Sequence, residues 1–187
     1  IVRMDADDVM APDRLAAQVD ALCSPAGLAA VGAHVRLFPR AHLRPGRLAY
    51  EAFLNSVRSE REVRANAFVE CPVAHPALAF RAATLRAFGY RDRGWPEDYD
   101  LVLRMLAAGE RIGVVPRVLL RWRDRPDRLS RRHPAYALPR FVECKAEFLA
   151  GGPLAGGDRY VLWGYGDTGK ALRRALGRHG KTPAAIV

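Results

Sequence analysis

Cysteine is sparse in this 187-residue chain, and the three present (Cys23, Cys71 and Cys144) are far apart, odd in number and free of any C-x-x-C spacing. That pattern argues against a disulfide framework and against a zinc site, and leaves reduced core thiols of a cytoplasmic protein as the expectation. Long apolar runs are missing as well. No stretch approaches the ~18 residues that would span a bilayer, and no charged-then-apolar signal segment opens the chain, so the visible part reads as soluble. Lysine is the third scarcity. Only Lys145, Lys170 and Lys181 are found among 30 basic residues, so the net charge of +10 is almost wholly arginine. Such a surplus suits nucleic acid, anionic lipid or an acidic substrate. Its densest stretch, however, has Trp122 as the one aromatic among Arg117, Arg121, Arg123, Arg125, Arg128, Arg131 and Arg132. A single-strand stacking platform needs more, so no nucleic-acid partner is expected.

Half of the residues are hydrophobic, enough for a sizeable core, and the length fits one domain plus part of another. Both ends read as lying inside strands, Ile1 to Met4 at one end and Ala184 to Val187 at the other. The expectation is therefore a piece cut from a longer protein.

Directly after the first apolar run stands Asp5-Ala6-Asp7-Asp8, and directly after that Pro12-Asp13-Arg14-Leu15, which reads as a helix start. Carboxylate oxygens suit Mg²⁺ or Mn²⁺, and such ions are commonly held by only one or two carboxylates, with phosphate oxygens and water completing the shell. Strand alternation sends Asp5 and Asp7 to one side and Asp8 to the other or into the loop. A calcium loop of the EF-hand type is excluded, because Val9 and Met10 occupy positions that need Asp or Asn and then Gly. A solvated acidic turn ahead of a helix, whose dipole welcomes negative charge, is the simpler alternative.

Periodicity and punctuation divide the rest of the chain. A helix follows Pro12, with Leu15, Val19 and Leu22 as its apolar face, and ends near Ser24-Pro25. A strand covers 28–38, a basic loop 39–46, and one helix 47–65 with Leu48, Phe53, Leu54 and Val57 inward. Two prolines in 71–76 make that segment a loop into a short strand, 77–80. A short helix over 82–88 stops at Gly89. A helix opening at Glu97-Asp98-Tyr99-Asp100 is apolar nearly all round and should be deeply buried. Strands 112–115 and 118–122 and a helix over 139–149 follow. Gly151 to Gly157 is a linker by composition. Last come a strand, Gly164-Tyr165-Gly166-Asp167-Thr168-Gly169, a helix over 170–179 and another strand. This order fits the start of a dinucleotide-binding unit, with Gly164, Gly166 and Gly169 forming a phosphate loop.

Glu97, Asp98 and Asp100 lie where helix amides and the macrodipole favour ionised carboxylates. One of them, facing a cleft, can accept a proton from an attacking hydroxyl; helix capping is the alternative role. Two acidic sets about ninety residues apart, each at an element boundary, match the places where α/β active sites gather.

Taken together, Arg3-Met4-Asp5-Ala6-Asp7-Asp8 with Pro12, Arg14, Leu15 and Gln18 resembles the D-x-D segment and following helix of the family 2 glycosyltransferases, inverting enzymes of the GT-A fold. His75-Pro76, Arg81, Gly89-Tyr90, then Glu97-Asp98-Tyr99-Asp100-Leu101 with Leu103-Arg104 and Gly109 resemble the acceptor-side segment and E-D motif of that family. Leu119 to Arg123 with Ser130 resembles the stretch that closes its catalytic domain. The resemblance covers residues 1–150.

What it implies is an α/β fold: a GT-A-type, Rossmann-like mixed sheet flanked by helices, lacking the N-terminal nucleotide-binding strands, over 1–150. A linker, 151–157, and a partial Rossmann-like βαβ unit, 158–187, complete the expected domains. In activity it implies metal-dependent transfer of a sugar from a nucleotide-diphosphate donor to an acceptor hydroxyl, with inversion. Asp5 and Asp7 would hold Mn²⁺ or Mg²⁺, with Asp5 and Asp8 reaching the donor. Asp98 would be the general base with Glu97 beside it, and His75, Trp95 and Asp100 would line the acceptor site. The acceptor class, polysaccharide, lipid-linked or protein, stays open; a role in cell-envelope polysaccharide at the cytoplasmic face of a membrane, with peripheral association, fits the family. Without its first strands the sheet has an exposed edge and half a donor pocket, so weak or no transfer is expected of these residues alone. Alternatives are a sugar nucleotidyltransferase, a non-catalytic binding domain, or a dinucleotide-dependent oxidoreductase acting through the C-terminal unit.

Overall fold

The computed structural model describes residues 1–187, the side chain of Leu129 excepted. It is a mixed α/β protein whose chain forms two compact units, residues 1–89 with 108–126 and residues 90–107 with 127–187. Residues 90–107 and 127–150, read from the sequence as part of the same domain as 1–89, cluster with the C-terminal residues instead.

The first unit is built on a four-stranded sheet in the order β1-β4-β2-β3 (Val9–Met10, Ile112–Arg123, Ala30–Phe38 and Ala79–Phe80). β2 and β4 run parallel and form the long central ladder, while β1 and β3 are short antiparallel additions at either side. Two strands were expected over 112–122, and one long strand is found. The register with β2 skips Pro116 and Arg117, so the proline, which has no N–H to contribute, sits in a bulge and the strand continues past it.

Helices α1 (Arg14–Cys23), α2 (Pro45–Ser56) and α3 (Glu60–Asn66) pack on this sheet, and α4 (Ala82–Phe88) follows β3. A single helix was expected where α2 and α3 stand. The break at residues 57–59 is made by Ser59, which caps α3 by accepting from the Glu62 amide, while the Glu62 carboxylate accepts from the Arg58 amide at 2.7 Å. That amide holds the Glu62 carboxyl below its ordinary range.

One core cluster gathers Val35, Leu37, Leu54, Leu119, Leu120 and Trp122 between the sheet and α2. β3 pairs only with Ala30 and Val31, which leaves the same edge of β2 open further on. Side chains of α2 close it: Asn55 accepts from Val35 N and donates to Val35 O, both at 2.9 Å, and Glu51 accepts from Leu37 N at 2.5 Å. A helix here completes the hydrogen bonding that another strand would supply.

The inward face expected of α1 is overturned. Leu15 and Val19 are 45% and 51% exposed, whereas Arg14 and Gln18 are fully buried. Carbonyls of three neighbouring segments, at Arg3, at Pro76 and Ala77, and at Val31 of β2, need donors, and these two side chains supply them. The expectation of three core thiols is also corrected: Cys71 and Cys144 are buried, but Cys23, at the last position of α1, is exposed.

The second unit contains α5 (Glu97–Ala107), α6 (Leu129–Arg132), α7 (Leu138–Gly151), β5 (Arg159–Leu162), α8 (Asp167–Gly177) and β6 (Thr182–Ile186). α7 packs on both α5 and α8, which is why the acidic helix clusters with the C-terminal residues. Val142, Ala146, Ala175 and Leu176 form its core, joined by Leu154 from the glycine-rich stretch. Lys181 Nζ donates to Leu154 O and Gly157 O at 2.7 and 2.6 Å. The expected linker is therefore tied down at both its apolar and its polar groups. β5 and β6 are parallel and joined through α8. Among the described residues no helix is long and apolar enough to cross a membrane.

Replacing Asn55 with Ala should lower stability by about 1–3 kcal/mol, because two backbone groups of Val35 lose their partner. Urea unfolding of the variant checks this; a midpoint equal to that of the parent protein would remove Asn55 as the edge cap.

Candidate functional site

The acidic turn belongs to the first unit. Ile1 to Arg3 run antiparallel to Leu78 to Phe80, the Asp8 amide then donates to Asp5 O at 3.2 Å, and the chain turns into β1. Residues 5–8 form a turn and not a strand, and its carboxylates differ in exposure. Asp5 and Asp7 are each 33% exposed along the side chain, while Asp8 is buried. Asp8 Oδ1 accepts from the Arg123 amide at 2.7 Å, so this carboxylate, expected to reach a donor, anchors the turn to the end of β4.

Arginines answer the two outward carboxylates. Arg3 Nη1 lies 2.7 Å from Asp5 Oδ1, and Arg125 Nε lies 3.2 Å from Asp7 Oδ2. Arg123 Nε donates to Asp7 O at 2.8 Å, and its guanidinium lies over the Phe38 ring, 4.4 Å from the centroid. Arg123 thus uses its amide, side chain and charge to shape the turn. Among the described residues no group of three or more His, Cys, Asp or Glu side chains is placed to hold a metal ion. Two partly exposed carboxylates on one turn nevertheless fit the oxygen donor set of Mg²⁺ or Mn²⁺, which needs no more from the protein. His75 is in the same unit, half-buried, at the start of a 3₁₀ turn over His75–Ala77.

Glu97, Asp98, Asp100 and Trp95 belong to the second unit. The Tyr136 hydroxyl lies 2.8 and 2.7 Å from the two Glu97 carboxylate oxygens and donates to that group. Asp98 Oδ1 accepts from the Tyr99 amide at 2.8 Å. Asp100, 2% exposed, accepts from Arg104 Nε at 2.6 Å and from Trp95 Nε1 at 3.1 Å. At about 100° per residue, Asp98 and Asp100 project to nearly opposite sides of α5. A cleft of about 240 Å³ follows the Asp100 side, lined by Arg91, Arg93, Trp95, Arg104 and Glu147 among others. The expected acceptor residues Trp95 and Asp100 line this cleft; Glu97 and Asp98 do not. Cys144, buried in α7, has its thiol pushed far up by burial and then by the charges of Asp100 and Asp98, so it stays protonated and inert.

In the C-terminal unit Gly164 takes a φ of 85° and Gly166 caps α8. A Cβ at position 169 would stand 2.4 Å from Gly164 O, so α8 and the loop after β5 approach too closely for a side chain there. That is the packing role of the third glycine in the fingerprint. Asp167, however, places a carboxylate in the first turn of α8.

Sequence reasoning missed Tyr136 on Glu97 and the division of labour between Asp98 and Asp100. The signal for the second was available: Asp100 and Arg104 are four apart on a helix, the spacing of an ion pair. Comparisons with protein-family models, with curated proteins and with solved structures found no match to this chain.

The Asp100–Arg104 pair is buried, so removing Asp100 takes from Arg104 the carboxylate it meets at 2.6 Å. Asp100→Ala should cost about 3–5 kcal/mol of stability, and Asp98→Asn no more than about 1 kcal/mol. Denaturant unfolding of both variants checks this, and equal stability for the two would end the assignment of Asp100 as a structural acid.

Proposed function

We propose that this chain carries out metal-dependent transfer of a sugar from a nucleotide-diphosphate donor to an acceptor hydroxyl with inversion, in the manner of the family 2 glycosyltransferases of GT-A fold. The observation that carries this reading is the acidic turn itself. Asp5 and Asp7 stand on a turn anchored through Asp8, with their carboxylates partly open to solvent and balanced by half-exposed arginines that a stronger cation displaces at small cost.

Asp5 and Asp7 would hold Mn²⁺ or Mg²⁺, which supplies charge neutralisation for the departing diphosphate. Asp98 would accept the proton of the acceptor hydroxyl. The oxygen then forms its bond to the anomeric carbon from the face opposite the diphosphate, while the bond from that carbon to the diphosphate oxygen breaks. One displacement inverts the centre, and no carboxylate nucleophile is required. Tyr136 supports the role given to Glu97, since it holds that carboxylate in place beside the base. An acceptor of the cell envelope, met at the cytoplasmic face of a membrane, is the setting the family resemblance suggests.

A second reading concerns the C-terminal unit alone. Its parallel β5 and β6, the positive φ at Gly164 and the close approach at Gly169 support the start of a dinucleotide-binding domain. Trp163, 83% exposed, would report nicotinamide cofactor binding by its fluorescence.

Calorimetric titration with a nucleoside diphosphate should show binding that depends on Mn²⁺ and disappears in Asp7→Asn. Metal-independent binding, or none, sinks the donor assignment. Arg125→Ala should tighten Mn²⁺ by up to about fivefold, since an exposed ion pair of at most about 1 kcal/mol no longer competes. Asp98→Asn should leave diphosphate binding intact and slow transfer by roughly 10²–10⁴-fold; unchanged turnover removes Asp98 as the base.

A further inference from the structure

Arg14 is among the largest fully buried side chains of the described residues, and it lies on the helix that follows the acidic turn. Burial pulls its guanidinium below the ordinary value, and the Asp8 carboxylate pushes it back up. Nothing in the proposed chemistry uses it. Its position is explained by the backbone around it.

Ile1 and Phe80 exchange both hydrogen bonds of an antiparallel pair, at 2.9 and 2.8 Å, and the Arg3 amide continues the ladder to Leu78 O at 2.9 Å. The return bond, from the Leu78 amide to Arg3 O, is the one the ladder calls for next. It is not made, because the Leu78 amide instead closes the 3₁₀ turn on His75 O at 3.1 Å. The two segments part here, one to the acidic turn and the other back to His75-Pro76. Arg14 Nη2 fills the gap, donating to Arg3 O and to Pro76 O, both at 2.8 Å. Gln18 orients it: Gln18 Oε1 accepts from Arg14 Nε at 2.9 Å, and Gln18 Nε2 donates to Ala77 O at 2.8 Å and Val31 O at 3.2 Å. Arg14 Nη1 is buried without a hydrogen-bond partner.

We propose that Arg14, oriented by Gln18, is a positioning residue that fixes the acidic turn against the His75-Pro76 turn, so that a cation held by Asp5 and Asp7 also stiffens residues 75–78. The proposal rests on the reading of Asp5 and Asp7 as a cation site. A planar fork with several donors is required, because two carbonyls on different segments and one amide oxygen must be met at once; lysine offers a point charge in its place. The consequence is that a residue touching neither metal nor sugar sets the geometry between the cation and the histidine turn.

The test is amide hydrogen exchange on the full chain, with and without Mn²⁺, in the parent protein, Arg14→Lys and Gln18→Met. Without metal, Arg14→Lys should raise exchange about tenfold in both 3–8 and 75–78, corresponding to one lost hydrogen bond, while the amides of the β2–β4 ladder keep their protection. Gln18→Met should raise the same two segments less, and it decides the matter if Arg14→Lys does not fold. Mn²⁺ should slow exchange of 75–78 in the parent protein and not in Arg14→Lys. Uniform acceleration across the chain, a response in one segment only, or Mn²⁺ binding seen by electron paramagnetic resonance without protection of 75–78 overturns the proposal. Absence of Mn²⁺ binding to the parent protein overturns it too, and with it the cation reading. A paired response of the two segments without metal in that case shows that the brace survives as a structural device only.

Discussion

Buried backbone groups must be paired, and in the first unit much of that pairing is completed by side chains rather than by strands. The parallel β2–β4 ladder supplies the regular part. Beyond the two residues of β3, Asn55 and Glu51 finish the open edge of β2. Where the Ile1–Arg3 pairing ends, Arg14 and Gln18 take over. At the end of β4, Asp8 receives the Arg123 amide. The same demand, met at three places by polar side chains, determines which helix faces turn inward and holds the acidic turn in place.

Arginine excess shapes both acidic sets. In the first unit Arg3 and Arg125 neutralise Asp5 and Asp7 at a partly exposed surface, where each pair contributes little to stability. In the second unit Arg104 meets Asp100 largely buried at the wall of the cleft, where breaking the pair is costly. Identical residue types thus take opposite roles because exposure differs. Asp98 lies outside that buried pair and accepts from the Tyr99 amide.

Local signals were read well where short-range chemistry decides. The helix over 82–88 ends at Gly89 with a φ of 55°, as a glycine stop requires, and α5 begins at Glu97. The strand, glycine loop, helix and strand after residue 158 are all present. The break between α2 and α3 was legible too, in Ser59 and Glu62 at capping-box spacing, but the apolar period running through Val57 masked it. Leu15 and Val19 misled for a different reason: periodicity ranks residues by hydrophobicity and takes no account of carbonyls that need donors.

By itself the sequence determined the element types, the mixed α/β class and the two clusters of carboxylates, because propensity, capping and turn chemistry act over a few residues. Tertiary structure decided which of those carboxylates face solvent and which are locked, that β4 runs on through its proline, and that α5 clusters with the C-terminal residues. Those outcomes depend on partners distant in the chain: Arg123 for Asp8, Tyr136 for Glu97, Pro76 for Arg14. No local pattern encodes them, since each exists only once the packed core brings the partner within hydrogen-bonding distance.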